Sequence, residues 1–325
     1  MNSESINTLL LDRIGEIEAS LGHDFSLSLV ELDTIRKQIL SNLQFYYSKS
    51  KDDQDVQDYY HSVRSVDDGQ HLFYEYHSLL KKTHQPIPYF LSKDQYLYSW
   101  VDLQPDGTIK SIYSGIKRDP KTLMKEDLVT IKKKYAEFQM AIEKQNQSKN
   151  IKDIQIRKID HDFKFNTEHM VPQSWYGTAE PMKGDLHHLF ACDPECNIKR
   201  SNSPYGDFSF YHPESLEEKI KNHCGVSLDG KFEPEYGKGT IARDMLYFLI
   251  RYPHTIKKSF VKQINVHLLL HWHEQFNVTI YEKHRNQAIY QIQGNRNPFI
   301  DFPELAQKVN FQLGTSKKMT ELGAG

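Results

Sequence analysis

Cysteine is scarce in this chain. Cys192, Cys196 and Cys224 are its only three, an odd number and too few to staple a small secreted domain, so a reducing cytoplasm suits them better, with room for one disulfide. Long apolar runs are missing too: none approaches the roughly 20 residues of a membrane-crossing helix, and no membrane partner is expected. The start, MNSESINTLLLDRIGEIEASLGHDF, has no basic segment, and its short Leu run meets Asp12 and Arg13 at once. A cleaved export signal is therefore not expected; the location is read as cytoplasmic, with signal-independent export as the other route. An excess of positive charge is also lacking. Lys and Arg number 41 against 43 Asp and Glu, a formal charge of −2, which excludes a general charge-driven coating of nucleic acid but not an enzyme with a local basic patch and a bound cation.

What is present, over 325 residues, is enough chain for one large domain or two modest ones. In Leu27 to Tyr47 the residues Leu32, Ile35, Ile39 and Leu43 fall at steps of three and four, and Gln70 to Lys82 repeats this with Leu72, Phe73, Tyr76, Leu79 and Leu80. Both spans are expected to be helices, separated by the polar run KSKDDQDVQD. YLYSWVD and TIKSIYSG alternate on either side of Gln104-Pro105-Asp106-Gly107, which predicts a β-hairpin. A third helix is expected over Pro120 to Lys144, and the polar segment Glu143 to Asp153 reads as an exposed loop or boundary. Asp162 to Val171 reads as a strand ending at Pro172, while Asp193 and Pro194 read as the cap and first position of a short helix. Helices are expected again over Gly239 to Tyr252, Lys257 to Phe276 and Thr279 to Gln291.

Between Phe165 and Gly206, residues of the His, Asp, Glu and Asn types crowd among Met170, Val171, Trp175, Leu186, Leu189 and Phe190. Polar groups set among core residues must be bonded or ligated. Hydrolysis of a phosphodiester needs a base for water, positive charge for the phosphate oxygens and stabilisation of the departing alkoxide, and this segment holds candidates for each. His169 suits the base, because an imidazole of pKa about 6.5 is largely neutral yet proton-accepting at working pH. Glu168 and the Asn197 amide are oxygen donors of the kind a hard cation takes, Mg²⁺ first, with Mn²⁺ or Ca²⁺ also open. Neighbours on a flat strand point to opposite faces, so Glu168 and His169 share one site only if the strand end twists near Pro172.

The run Glu168-His169-Met170-Val171-Pro172-Gln173-Ser174, then Asp185-Leu186-His187-His188-Leu189, then Asn197 and Arg200-Ser201-Asn202, strongly resembles the bacterial endonuclease I family, whose active site is a ββα-metal (His-Me) finger. Further matches lie at Gly239-Thr240-Ile241-Ala242-Arg243, at Leu246-Tyr247 and from Glu282 to Pro298, so that the resemblance runs from about Tyr96 to the C-terminal helix. It implies an α+β fold, mainly helical, with a central finger at about 162–205 inside a catalytic domain, 91–325; a helical N-terminal region, 1–90, is read before it as an addition to the family's pattern. It implies His169 as general base, Glu168 and Asn197 as magnesium ligands, and DNA or RNA cut with little sequence preference to give 5′-phosphorylated products. Members hold the cleaved phosphate with an Arg near the site; the loop between Trp175 and Asp185 is short here, which leaves Lys183 or Arg200 as the candidate in its place.

Other residues carry weaker signals. His187 and His188 either buttress the site's own side chains or are simply buried and bonded, and Asn202 and Arg243 bind phosphate or pair locally. Asn295, Arg296 and Asn297 read as a polar lock tying the tail onto the finger. Cys192, Cys196 and Cys224 invite a structural Zn²⁺ with His212 or His223 as fourth ligand, although free buried thiols are the commoner outcome. Lys132-Lys133-Lys134 reads as a solvated helix face, and His271 and His273 diverge on their helix. The rival to a nuclease is a finger that has lost catalysis and serves as a nucleic-acid-binding or zinc-stabilised module. A cytoplasmic nuclease of low specificity would threaten its host, which implies a dedicated secretion route, an inhibitor protein as partner or a narrower substrate.

Overall fold

The computed structural model describes residues 26, 28–63, 68–143, 164–213 and 222–315, and within them helices surround three two-stranded antiparallel sheets. This is mainly helical α+β, as expected. The first expected helix is two. Helix α1, over residues 28–41, buries Leu32 and Ile39; Asn42 ends it, because its side chain accepts the Gln44 amide and starts a separate turn, Leu43–Tyr46. The polar run that follows is not a link but helix α2, Lys49–Tyr60. No apolar stripe marks it in sequence. It is anchored instead by Asp52, which accepts bonds from Tyr47 and Arg296, and by Tyr59 and Tyr60 in the core. Helix α3, Gly69–Thr83, starts where the Asp68 side chain accepts the Gln70 amide.

The hairpin expected over Tyr96 to Gly115 does not form. Its first arm is a π-helix, Ser92–Val101, because Leu97 and Val101 lie one turn apart and are buried together with Tyr98. The turn itself survives, with the Gln104 amide donating to the Thr108 carbonyl at 2.7 Å and Gly107 at φ +72°. The second arm pairs mainly forward, as β1, Ile109–Lys110, with β2, Lys117–Arg118. Helix α4, Pro120–Glu143, follows as expected. The loop expected beyond it, from residue 144, and the first two residues of the strand expected from Asp162 lie outside the described residues.

At the centre, β3, Thr167–His169, pairs antiparallel with β4, Leu189–Ala191, setting Glu168 opposite Phe190 and His169 opposite Leu189. Helix α5, Pro194–Arg200, follows with Pro194 at its first turn after Asp193. Strands β5, Gly225–Leu228, and β6, Lys231–Pro234, turn through Asp229 and Gly230, both at positive φ, as a two-residue hairpin demands. Helix α6, Lys238–Arg251, is buried on nearly every side between α3 and α7, Val266–Gln275. The helix expected over Lys257 to Phe276 is broken before α7, where the Asn265 side chain accepts the Leu268 amide and starts a new one. Helix α8, Ile280–Gln293, opens on a capping box between Thr279 and Glu282 and closes at Gly294, φ +79°.

A polar lock follows α8, but its side chains hold α6, α2 and the tail itself rather than the expected finger. Asn295 donates to the Tyr247 hydroxyl, Arg296 pairs with Asp52 and Asp301, and Asn297 donates to the Arg243 carbonyl, all fully buried. Two apolar clusters flank the central hairpin: Phe190 joins Met170, Phe73 and α6, while Leu189 and Ala191 join Leu32, Leu97 and Ile289. The period of two along β4 thus wedges the strand between them, fixing what β3 carries. No described helix is long and apolar enough to cross a membrane.

Candidate active site

Strand β3 delivers Glu168 and His169 to one cleft of about 600 Å³, and α5 brings Asn197 and Arg200 to the same cleft. Strand neighbours do share a site here, on a strand only three residues long that bends away after His169. Both side chains are almost fully buried, and burial acts on them in opposite ways.

The His169 ring is held at both nitrogens. Nε2 lies 2.8 Å from the Lys183 carbonyl oxygen, which can only accept, so Nε2 carries the proton. Nδ1 is then the lone-pair nitrogen and accepts from the Gln173 amide at 3.2 Å. Burial, with His188 and the cations Lys183 and Arg200 nearby, holds the imidazole well below its usual pKa. It is neutral at pH 7, with Nδ1 as its basic atom. The His188 ring packs edge-on against it at 5.3 Å, fixed by a bond from its own Nε2 to the Met182 carbonyl.

Glu168 is the buried carboxylate of the cleft. Its Oε1 accepts from Arg200 Nη1 at 2.8 Å and from the Tyr113 hydroxyl at 3.0 Å. Burial raises its pKa, and Arg200 and Tyr113 oppose that rise. Among the described residues nothing bonds Oε2. Asn197 is oriented in a similar way: its Nδ2 donates to the Thr167 carbonyl at 2.6 Å, which turns Oδ1 away from that bond. One carboxylate oxygen and one amide oxygen, each fixed by the bonds of its sister atom, are donors that fit a hard divalent cation.

The remaining candidates divide. Lys183 lines the cleft with its ammonium 5.0 Å over the Tyr89 ring, and Asn202 lies at the rim, where its carbonyl accepts from the Trp175 indole. Arg200 reaches the cleft, but its guanidinium is committed to Glu168 and to the carbonyls of His169 and Met170. His187 is turned away, bonding the Asn295 carbonyl and packing on Tyr247. Arg243 is not at the site: its guanidinium forms a buried two-point pair with Glu282 and donates to the Phe276 carbonyl, so no atom is left for phosphate. Sequence spacing did not point to Tyr113, Lys164 or Lys134. Tyr113 sits in an alternating run like any core tyrosine, and Lys134 belongs to a run that otherwise faces solvent yet itself lines the cleft.

The zinc expectation is corrected. Cys196 and Cys224 are joined in a disulfide that ties α5 to the start of β5, so two of the three thiolates do not exist. Cys192 is buried elsewhere, with burial pushing its thiol pKa up, while His223 stands beside the disulfide and pairs with Glu195. His212 is exposed.

The family described as Endonuclease I matches the chain over residues 92–304. An extracellular ribonuclease of Bacillus amyloliquefaciens is 32% identical over 162 residues, 45% of this chain and 53% of that protein. Endonuclease-1 of Buchnera aphidicola subsp. Baizongia pistaciae is 32% identical over 125 residues, 37% of this chain and 47% of its own length. A periplasmic deoxyribonuclease of Aeromonas hydrophila is 30% identical over 125 residues, again 37% of this chain and 48% of its own. The chain thus spans about half the length of the curated relatives it matches. Names such as extracellular and periplasmic overturn the expectation of a cytoplasmic protein, as does the Cys196–Cys224 disulfide, which a reducing cytoplasm disfavours.

Proposed function

This chain belongs to the endonuclease I family, and from that premise we propose that its cleft hydrolyses phosphodiesters of DNA and RNA, with little sequence preference, outside the cytoplasm. The observation that carries the proposal is the His169 ring, neutral and locked by the Lys183 carbonyl with its basic Nδ1 in the cleft beside Glu168 and Asn197. In this reading β3, β4 and α5 are a ββα-metal finger within a catalytic domain, 91–325, and residues 1–90 are a region added before it. That relatives are named ribonuclease and deoxyribonuclease supports a substrate read by its backbone rather than by its sugar.

His169 Nδ1 takes the proton of a water that attacks phosphorus; the new P–O bond forms as the bond to the 3′-oxygen breaks, and the phosphate stays on the 5′ side. The Lys183 carbonyl keeps the tautomer, and the Gln173 amide, which holds the Nδ1 lone pair in this structure, yields it to the water. Glu168 Oε2 and Asn197 Oδ1 are the atoms that would hold a divalent cation, Mg²⁺ by their chemistry, which supplies positive charge to the phosphate oxygens and the departing 3′-oxygen. Arg200 is a positioning residue for Glu168, and Lys183, Lys164 and Lys134 offer the cleft's charge to neighbouring phosphates. A location outside the cytoplasm removes the reason for an inhibitor protein.

The test is digestion of supercoiled plasmid, single-stranded DNA and RNA with and without EDTA. Wild type is expected to cut all three and to stop in EDTA, and His169→Ala to lose about a hundred- to ten-thousand-fold in rate while still binding the uncut strand. Near-wild-type cutting by His169→Ala would remove the assignment.

A further inference from the structure

A second cavity, of about 420 Å³, opens between α3 and the C-terminal end of α6. It draws His77 and Lys81 from α3, and Arg251, Tyr252 and His254 from the end of α6 and the turn that follows. Among the described residues no aspartate or glutamate lines it. Lys81 is exposed, and among the described residues no carboxylate lies within ion-pair distance of it or of Arg251. Arg251 is nonetheless fixed, its Nε donating to His84 Nδ1 at 3.3 Å and its guanidinium lying 4.4 Å from the Tyr252 ring centroid. After burial, which dominates, Lys81, Arg251 and His254 each push the His77 pKa down, which places these three side chains around one imidazole. In a chain of net negative charge, a basic hollow without acidic lining is a feature that needs a reason.

Aromatic surface accompanies the charge. Tyr74 stands at the rim, 51% exposed, held edge-on by Phe73 beneath it with ring centroids 5.7 Å apart. Basic groups beside an exposed ring are what a single nucleic acid strand meets on proteins that bind it without reading sequence: phosphate to the cations, base to the ring. The chain also runs from the cavity's wall to the cleft's. Thr255 lines it, and two residues on, Lys257 donates from its amide to the Trp175 carbonyl and from its ammonium to the carbonyl of Ser174, a cleft residue. Lys257 thus ties the segment after the cavity to the wall of the cleft.

We propose that the cavity between α3 and the end of α6 is an exosite that holds a nucleotide of single-stranded nucleic acid, phosphate on Lys81 and Arg251 and base on Tyr74, while another part of the same strand occupies the cleft. The inference rests on the nuclease reading for the identity of its ligand. Half of the exosite comes from α3, which precedes residue 92, where the family match begins, so it gives the N-terminal helices a part in substrate capture.

The test uses the full chain carrying His169→Ala, in EDTA, with a fluorescent single-stranded oligonucleotide long enough to span both hollows. Tyr74→Ala with Lys81→Glu, both at exposed side chains, is expected to weaken binding about tenfold or more, and to lower the slope of log affinity against log salt by about 0.7 for each phosphate that is no longer held. In the otherwise wild-type enzyme the same pair is expected to leave hydrolysis of a dinucleotide, which fills only the cleft, unchanged. Unaltered affinity and salt slope overturn the exosite. Absence of cutting by wild type on every substrate overturns the nuclease reading instead, whatever the binding shows.

Discussion

Glu168 and His169 are chain neighbours that burial treats in contrary ways. The imidazole needs only to stay neutral, so the apolar packing of His188 and one carbonyl suffice for it. In the proposed role the carboxylate must stay charged to hold a cation, so it needs partners, and Arg200 and Tyr113 supply them on Oε1 alone. Removal of the Tyr113 hydroxyl should loosen that oxygen without emptying the cleft of charge. Tyr113→Phe is expected to raise the divalent metal concentration giving half-maximal cutting by about tenfold, with the rate at saturating metal close to wild type. Metal titration of a digest reads this directly, and an unshifted midpoint would show that Tyr113 only fills space. The central residues were legible in sequence because Glu168, His169, Asn197 and Arg200 lie within one short segment whose order the family resemblance reproduces. Tyr113 was not, since it reaches the site from 55 residues away through the fold. Arg243 was left open between phosphate and a local pair for the converse reason: its partner Glu282 lies 39 residues on, and nothing in local sequence announces the pair.

Elements were legible where their own residues fix them and illegible where the tertiary structure does. Pro194 and Thr279 marked helix starts correctly, and so did the spacing of Leu72, Phe73, Tyr76 and Leu80. Helix α2 and the π-helix over Ser92–Val101 escaped notice because the first is held by Arg296 and the second by apolar contacts from distant segments. Helix α5 shows how strongly one element can be tied down: Asn197 bonds β3, Arg200 bonds Glu168 and the segment after it, and Cys196 is bonded to Cys224 before β5. The disulfide spans 28 residues, and closing a loop of that length in the unfolded chain corresponds to about 3–4 kcal/mol. Cys224→Ser is therefore expected to lower the melting temperature of the oxidised protein, and a thiol reductant to lower that of wild type but not of the variant. Equal melting of oxidised and reduced wild type would show that the bond contributes nothing to α5.

At the scale of the whole molecule, the interior is unusually polar, and its pH response follows from how its groups are satisfied. Asp185 is an acceptor hub, taking bonds from Tyr247 at 2.8 Å, Tyr252 at 2.7 Å, Gln293 at 2.8 Å and the His187 amide at 3.0 Å. That hub joins the loop behind the site to α6 and α8, as the Arg296 pair with Asp52 joins the tail to α2. The imidazoles set in this interior are neutral. Burial lowers His187 to about 3, and it lowers His188 and His273 as well. In the unfolded chain the same rings take up protons near pH 6.5, so below that value the unfolded state binds more protons than the folded one. The stability these groups contribute is complete above about pH 6.5 and is lost as the pH falls toward their folded values. Unfolding by urea is thus expected to become easier by a few kcal/mol between about pH 7 and about pH 4, with little change from about pH 7 to about pH 9. His187→Gln is expected to flatten part of that acid limb, even if it lowers stability at neutral pH. A midpoint that stays level down to about pH 4, or an acid limb that His187→Gln leaves untouched, would mean that these rings are already charged in the folded protein.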